Sequence, residues 1–122
     1  MLEKKTGIKR VIYATYYSYK GTLYNVIHES AFRQEFVASL VLIPLACWLN
    51  VTLIERLLMI MTLLIVLIAE LLNTAVEAAI DRISFDVHEL SGIAKDAGSA
   101  AVFFSLLMCA MVWISVVYVN FI

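Results

Sequence analysis

Charge is scarce in this sequence. Lys, Arg, Asp and Glu make up 16% of its 122 residues, beside one proline, four glycines, two cysteines and two histidines. Each scarcity excludes something. The glycines form neither a Walker A pattern nor a GxGxxG loop, so the two familiar phosphate-cradling folds are absent. Cys47 and Cys109 sit in apolar runs, with no spacing that fits a disulfide framework or a metal site. They read as small buried hydrophobes. Neither the apolar core nor the cleavage site of a signal peptide follows Met1, so internal spans are expected to direct insertion. The net charge of −1 carries no information about nucleic acid.

Apolar residues fill the space that charge leaves. They amount to 63% of the chain, with a mean hydropathy of +0.92. A soluble domain is nearer 45–50% apolar. The solvent for much of the chain is therefore lipid, which admits only helices or closed barrels. The pattern predicts an all-α membrane protein. A single membrane domain covers 1–122, with an interfacial helix over 1–27 and spans at about 31–49, 57–80 and 97–119.

In the first segment Ile8, Ile12, Tyr16, Tyr19 and Leu23 recur at helical spacing, with Lys5, Lys9, Arg10 and Ser18 largely off that stripe. This suits an amphipathic helix on anionic headgroups, alone or as one wall of a site. Gly21 could loosen it or admit a ligand. In the first span Arg33 and Glu35 are expected to snorkel or face inward, Pro44 to kink the helix, and Trp48 to sit at the far interface. Lys4, Lys5, Lys9, Arg10 and Lys20 crowd the N-terminal segment, and Arg82 and Lys95 add to 81–96, whereas 50–56 holds only Arg56. The N-terminus and the 81–96 loop are thus expected in the cytoplasm and the C-terminus outside.

The second span carries the chemistry. Glu70, Asn73, Glu77 and Asp81 stand at i, i+3, i+7 and i+11, one stripe of a helix. Each charge near lipid costs about 2.5–3.5 kcal/mol by insertion scales, so these groups must face protein, ion or water. A polar seam between helices, a proton path and a catalytic site all fit that stripe. Glu29, just before the first span, lies in the same boundary layer as Glu77. Two such carboxylates could hold Mg2+ and leave room for phosphate oxygens and water. Glu70 lies deeper, where desolvation makes a carboxylate a stronger proton acceptor. Asn73 can orient its neighbours without adding charge. In the loop, Lys95 could neutralise phosphate and Asp96 could orient Lys95 or a hydroxyl.

Three joined motifs go further. Glu29-Ser-Ala-Phe-Arg-Gln-Glu35, Glu70-Leu-Leu-Asn-Thr-Ala-Val-Glu77-Ala-Ala-Ile-Asp-Arg82 and His88-Glu-Leu-Ser-Gly-Ile-Ala-Lys-Asp-Ala-Gly-Ser99 resemble the small prokaryotic integral-membrane diacylglycerol kinases, as do Tyr17-Ser-Tyr-Lys-Gly21 and Ala46-Cys-Trp-Leu49. The resemblance covers nearly the whole chain. It implies a homotrimeric helical bundle with three transmembrane helices and one surface helix per subunit. Active sites are shared between subunits, in a bacterial inner membrane. It implies transfer of the ATP γ-phosphate to the hydroxyl of diacylglycerol, giving phosphatidic acid and ADP, with Mg2+ as cofactor and no nucleic-acid partner. By motif position, Glu70 resembles the general base, assisted by Asn73 and Asp96, and Glu29 and Glu77 resemble the metal ligands. Arg10, Tyr17, Glu29, Glu77, Asp86, His88, Lys95 and Asp96 would border the nucleotide. Arg10, Ala14, Ser18, Tyr19, Ala31, Phe32, Arg33, Gln34, Glu35, Trp48, Glu70, Ser99 and Trp113 would line or approach lipid. The match departs from the family at Asp86-Val87, Ile93 and Tyr19, where Glu then an aromatic, a basic residue and Trp are more frequent.

The nearest rival is an undecaprenol kinase of the same superfamily, whose 32–35 segment is typically Phe-Arg-Ile-His rather than Phe-Arg-Gln-Glu. A small proton-coupled transporter, an assembly protein or a structural subunit without chemistry are the rivals from other classes.

Overall fold

A computed structural model describes residues 6–122, so Lys4 and Lys5 lie outside the described residues. Four α-helices follow in order, with no strand among the described residues: α1 Gly7–His28, α2 Ser30–Trp48, α3 Leu53–Ile83 and α4 Glu89–Phe121. The last three are long and apolar enough to cross a membrane. At 1.5 Å per residue α2 is about 28 Å long, close to the hydrocarbon thickness, while α3 and α4 are about 46 and 50 Å. The two long helices therefore project beyond lipid.

That projection changes the expected boundaries. The connection expected over 81–96 shrinks to 84–88, because α3 runs to Ile83 and α4 starts at Glu89. Hydropathy reports where the solvent changes, whereas a helix can continue into water. At the other end, α3 starts four residues before the expected 57. Thr52 and Glu55 form a reciprocal capping box: Glu55 N–H donates to Thr52 Oγ1 (3.2 Å) and Thr52 N–H to Glu55 Oε1 (2.9 Å). The α2–α3 turn is correspondingly short.

The first two helices meet at one residue. Glu29 has extended backbone (φ −111°, ψ 107°) and caps both α1 and α2. Its N–H donates to the Asn25 carbonyl, and its own carbonyl accepts from Arg33 N–H, each at 2.9 Å. Arg33 turns back: Nη1 donates to the carbonyls of Val26 (3.3 Å) and Ile27 (3.0 Å). A cation thus satisfies orphan carbonyls at the negative end of α1. α1 runs unbroken through Gly21, and α2 through Pro44.

α3 packs most extensively on α4, then on α2, and α1 lies on α2. At the charge-poor end Ala46, Met59 and Val116 form a small core surrounded by Leu49, Val51, Ile60, Val112 and Trp113. Polar contacts lock it. Trp113 Nε1 donates to the Met59 carbonyl (3.1 Å), Asn120 Nδ2 to Glu55 Oε2 (3.0 Å), and Arg56 to the carbonyls of Ala46, Leu49 and Val51 at the end of α2. Cys109 is half-buried, but Cys47 is exposed on α2, which corrects the expectation that both are buried: in a lipid solvent an apolar run has no need to face inward.

Candidate active site

The polar stripe of α3 faces the interior at its deepest point. Glu70 is 8% exposed, and no cation pairs with it among the described residues. Glu35, Glu29 and Glu77 all lie within electrostatic range of it. Four carboxylates from the α1–α2 elbow, α2 and α3 therefore share one region. Glu29 and Glu77 are half-buried and reachable from the polar side. Glu77 stands two turns above Glu70, a rise of about 10 Å. Asn73 lies between them, and its Nδ2 donates to Glu77 Oε1 at 3.4 Å.

The groups from the α3–α4 connection form a second cluster. Asp81, Ser84, Asp86, His88, Gly92 and Lys95 line a cavity of about 210 Å3. Asp86 is held by its own N–H, which donates to Ser84 Oγ (3.0 Å). His88 caps α4 through Nδ1, which accepts from Leu90 N–H at 3.1 Å, and this leaves Nε2 for a ligand. Lys95 Nζ lies 2.8 Å from Asp81 Oδ1 and within electrostatic range of Glu77. Asp96 is exposed beside it. The structure thus brings together Asp86, His88 and Lys95 in one cavity, and sets Glu29, Glu35 and Glu77 within electrostatic range of the deeper Glu70.

Other expected residues are elsewhere. Arg10, Ala14, Tyr17, Ser18 and Tyr19 are exposed along α1. Tyr17 lies beside Tyr13 and Tyr16, with ring centroids 6.2 and 5.9 Å away. Ala31, Gln34 and Ser99 are exposed. Phe32 is not: it is 1% exposed and stacks on Phe36 at 5.8 Å, so within the chain its ring is packed. Trp48 and Trp113 stand at the charge-poor end, far from Glu70 along the helix axes. Arg33 caps α1.

Two features escaped sequence reasoning. Asp81 is the partner of Lys95. Gly98 lies against Asn73, so close that a Cβ there would collide with Asn73 Oδ1. The signal for the second was present, since Ala94 and Gly98 are small residues four apart on a membrane helix.

Residues 16–117 match the family model described as prokaryotic diacylglycerol kinase. The chain is 46% identical over 121 residues to the diacylglycerol kinase of Escherichia coli (strain K12), covering 99% of both chains. It is 47% identical over 110 residues to that of Haemophilus influenzae, covering 90% of this chain and 93% of the other. It is also 47% identical over 112 residues to that of Pseudomonas aeruginosa, covering 92% and 91%. The chain belongs to the prokaryotic diacylglycerol kinase family.

Proposed function

We propose that this protein transfers the γ-phosphate of ATP to the hydroxyl of 1,2-diacylglycerol, giving phosphatidic acid and ADP. The observation that carries this reading is the layering of the acidic groups. A buried carboxylate, Glu70, lies about two turns along α3 from the half-buried Glu77, with half-buried Glu29 at the α1–α2 elbow and Lys95 paired to Asp81 a further turn along. A lipid hydroxyl comes from the membrane and a phosphate from water, and this order matches their directions of approach.

In the reaction the lipid oxygen forms a bond to the γ-phosphorus. The bond from that phosphorus to the β–γ bridging oxygen breaks, and ADP leaves. Glu70 takes the hydroxyl proton as general base. Asn73 holds Glu77 in place. Lys95 exchanges Asp81 for phosphate oxygens and offsets their charge, with Asp96 beside it, in a transfer governed mainly by positioning and electrostatics. Arg10 and Tyr17 on α1, with Asp86 and His88, border the nucleotide.

Glu29 and Glu77 suit Mg2+. Both offer hard oxygen donors, and no cation neutralises Glu29 by direct contact among the described residues. No group of three ligating side chains converges among the described residues, so the chain offers a partial shell rather than a cage. Mg2+ usually takes one or two carboxylates and fills its remaining positions with water and phosphate oxygens. When bound, it neutralises charge on the transferring phosphate.

The lipid approaches past Ala31, Gln34, Glu35 and Ser99, with Arg10, Ala14, Ser18 and Tyr19 at its headgroup. Trp48 and Trp113, at the charge-poor end of the spans, border lipid there. Phe32 and Arg33 support the elbow from behind. The protein works as a homotrimer with sites shared between subunits. In favour of this, an apolar groove of about 600 Å3 between α3 and α4 stays open in one protomer and runs alongside Asn73 and Gly98. It resides in a bacterial inner membrane, with the α3–α4 connection in the cytoplasm and the C-terminus in the periplasm, as the bias of Lys and Arg favours.

Purified protein in detergent, given Mg-ATP and either diacylglycerol or undecaprenol, tests the reading. Phosphatidic acid should be the main product. Preference for undecaprenol would overturn the substrate, and transfer to neither lipid would overturn the kinase.

A further inference from the structure

The contact between α3 and α4 at Gly98 has an unusual form. A Cβ on Gly98 would collide with Asn73 Oδ1 and lie 3.3 Å from Asn73 Cγ, yet it would stand 3.9 Å from Asn73 Cα. That last distance is ordinary van der Waals contact. Alanine at this position is therefore compatible with the spacing of the two backbones. It is incompatible only with the place taken by the Asn73 amide.

The amide has a fixed sense. Asn73 presents Nδ2 to Glu77, donating to Oε1 at 3.4 Å, as an amide N–H does to a carboxylate oxygen. Oδ1 then points back toward α4, where it is buried without a hydrogen-bond donor among the described residues. What it meets is the bare Cα of Gly98, a weak C–H donor.

We propose that Gly98 is a positioning residue for the phosphotransfer site: its missing side chain is the seat of the Asn73 amide, which in turn holds Glu77 toward the metal-nucleotide. Gly98 touches neither substrate nor metal. It acts through Asn73. The inference rests on the assignment of Glu77 as a ligand for Mg2+.

The test measures binding rather than turnover. A non-hydrolysable β,γ-methylene ATP is titrated into full-length protein in detergent at stepped Mg2+, using wild type, Gly98→Ala, Asn73→Ala, the double variant and Glu77→Gln. Groups that orient metal ligands typically contribute 10–100-fold to metal affinity. Gly98→Ala and Asn73→Ala should each weaken Mg2+-dependent binding by about 10-fold. The double variant should bind no more weakly than Asn73→Ala alone, because the seat has no function once the amide is gone. A further loss of similar size in the double variant would mean that Gly98 serves helix packing, and would overturn the proposal. Unchanged binding in Gly98→Ala, with Glu77→Gln impaired, would overturn it too. Unchanged binding in Glu77→Gln would instead remove the metal assignment and this inference with it. If Gly98→Ala fails to fold, Asn73→Ala in the same chain should restore folding by vacating the space. Failure of that rescue would place the clash in the backbones and overturn the proposal.

Discussion

Lys95 Nζ on α4 and Asp81 Oδ1 on α3 are 2.8 Å apart, and the two side chains remain 42% and 39% exposed. A pair this open is screened by water and contributes little to stability. It stands beside Asp86 and His88 in the same cavity, and in the proposed reaction Lys95 leaves Asp81 for phosphate. Asp81→Asn should therefore leave the melting temperature close to wild type. Lys95→Met should leave stability similarly unchanged but weaken ATP binding by at least about 10-fold, the loss of one charge-assisted contact. Thermal melting and nucleotide titration on both variants check this.

The Arg33 guanidinium fixes the elbow that presents Glu29. Arg33→Ala leaves the α1 carbonyls to water and frees the angle between α1 and α2. It should cost about 1 kcal/mol of stability and raise the KM for Mg-ATP. Arg33→Lys should restore part of both, since lysine keeps the charge near the helix end but not the forked geometry. Melting curves and the KM measured across Mg2+ concentrations read the two effects separately.

The charge-poor end should affect stability without touching chemistry. Trp113→Phe removes the hydrogen bond to the Met59 carbonyl and should destabilise the protein by about 1 kcal/mol. Its KM for ATP should stay unchanged, because Met59 precedes Glu70 by eleven residues, about 16 Å along α3.

Orientation has its own test. In a chain with Cys47 and Cys109 replaced by serine, Asn50→Cys should react with a membrane-impermeant maleimide on intact spheroplasts. Ser84→Cys should react only after permeabilisation. The reverse pattern would invert the topology.

Much of this was legible in the sequence. Three apolar runs and a polar stripe at 70, 73, 77 and 81 are periodic signals, and periodicity survives without coordinates. Helix ends were less legible. Glu89 to Asp96 looked like a loop because they are polar, yet they form the first turns of α4. The capping box of Thr52 and Glu55 was readable and marks the true start of α3. Tertiary pairings were not readable. Nothing in the chain says that Lys95 meets Asp81, that Arg33 and Arg56 turn back onto carbonyls, or that Gly98 makes room for one amide oxygen. Those facts depend on how neighbouring helices are rotated and set in depth, which composition does not encode.

In the proposed division of roles Glu70 accepts the lipid proton while Glu29 and Glu77 serve the metal-nucleotide. The most direct measurement is the rate of γ-phosphate transfer to diacylglycerol by Glu70→Gln at Mg-ATP concentrations that saturate binding. The rate should fall at least about 100-fold, the usual contribution of a general base, with nucleotide affinity close to wild type. Transfer within a few-fold of wild type at saturating Mg-ATP would contradict it.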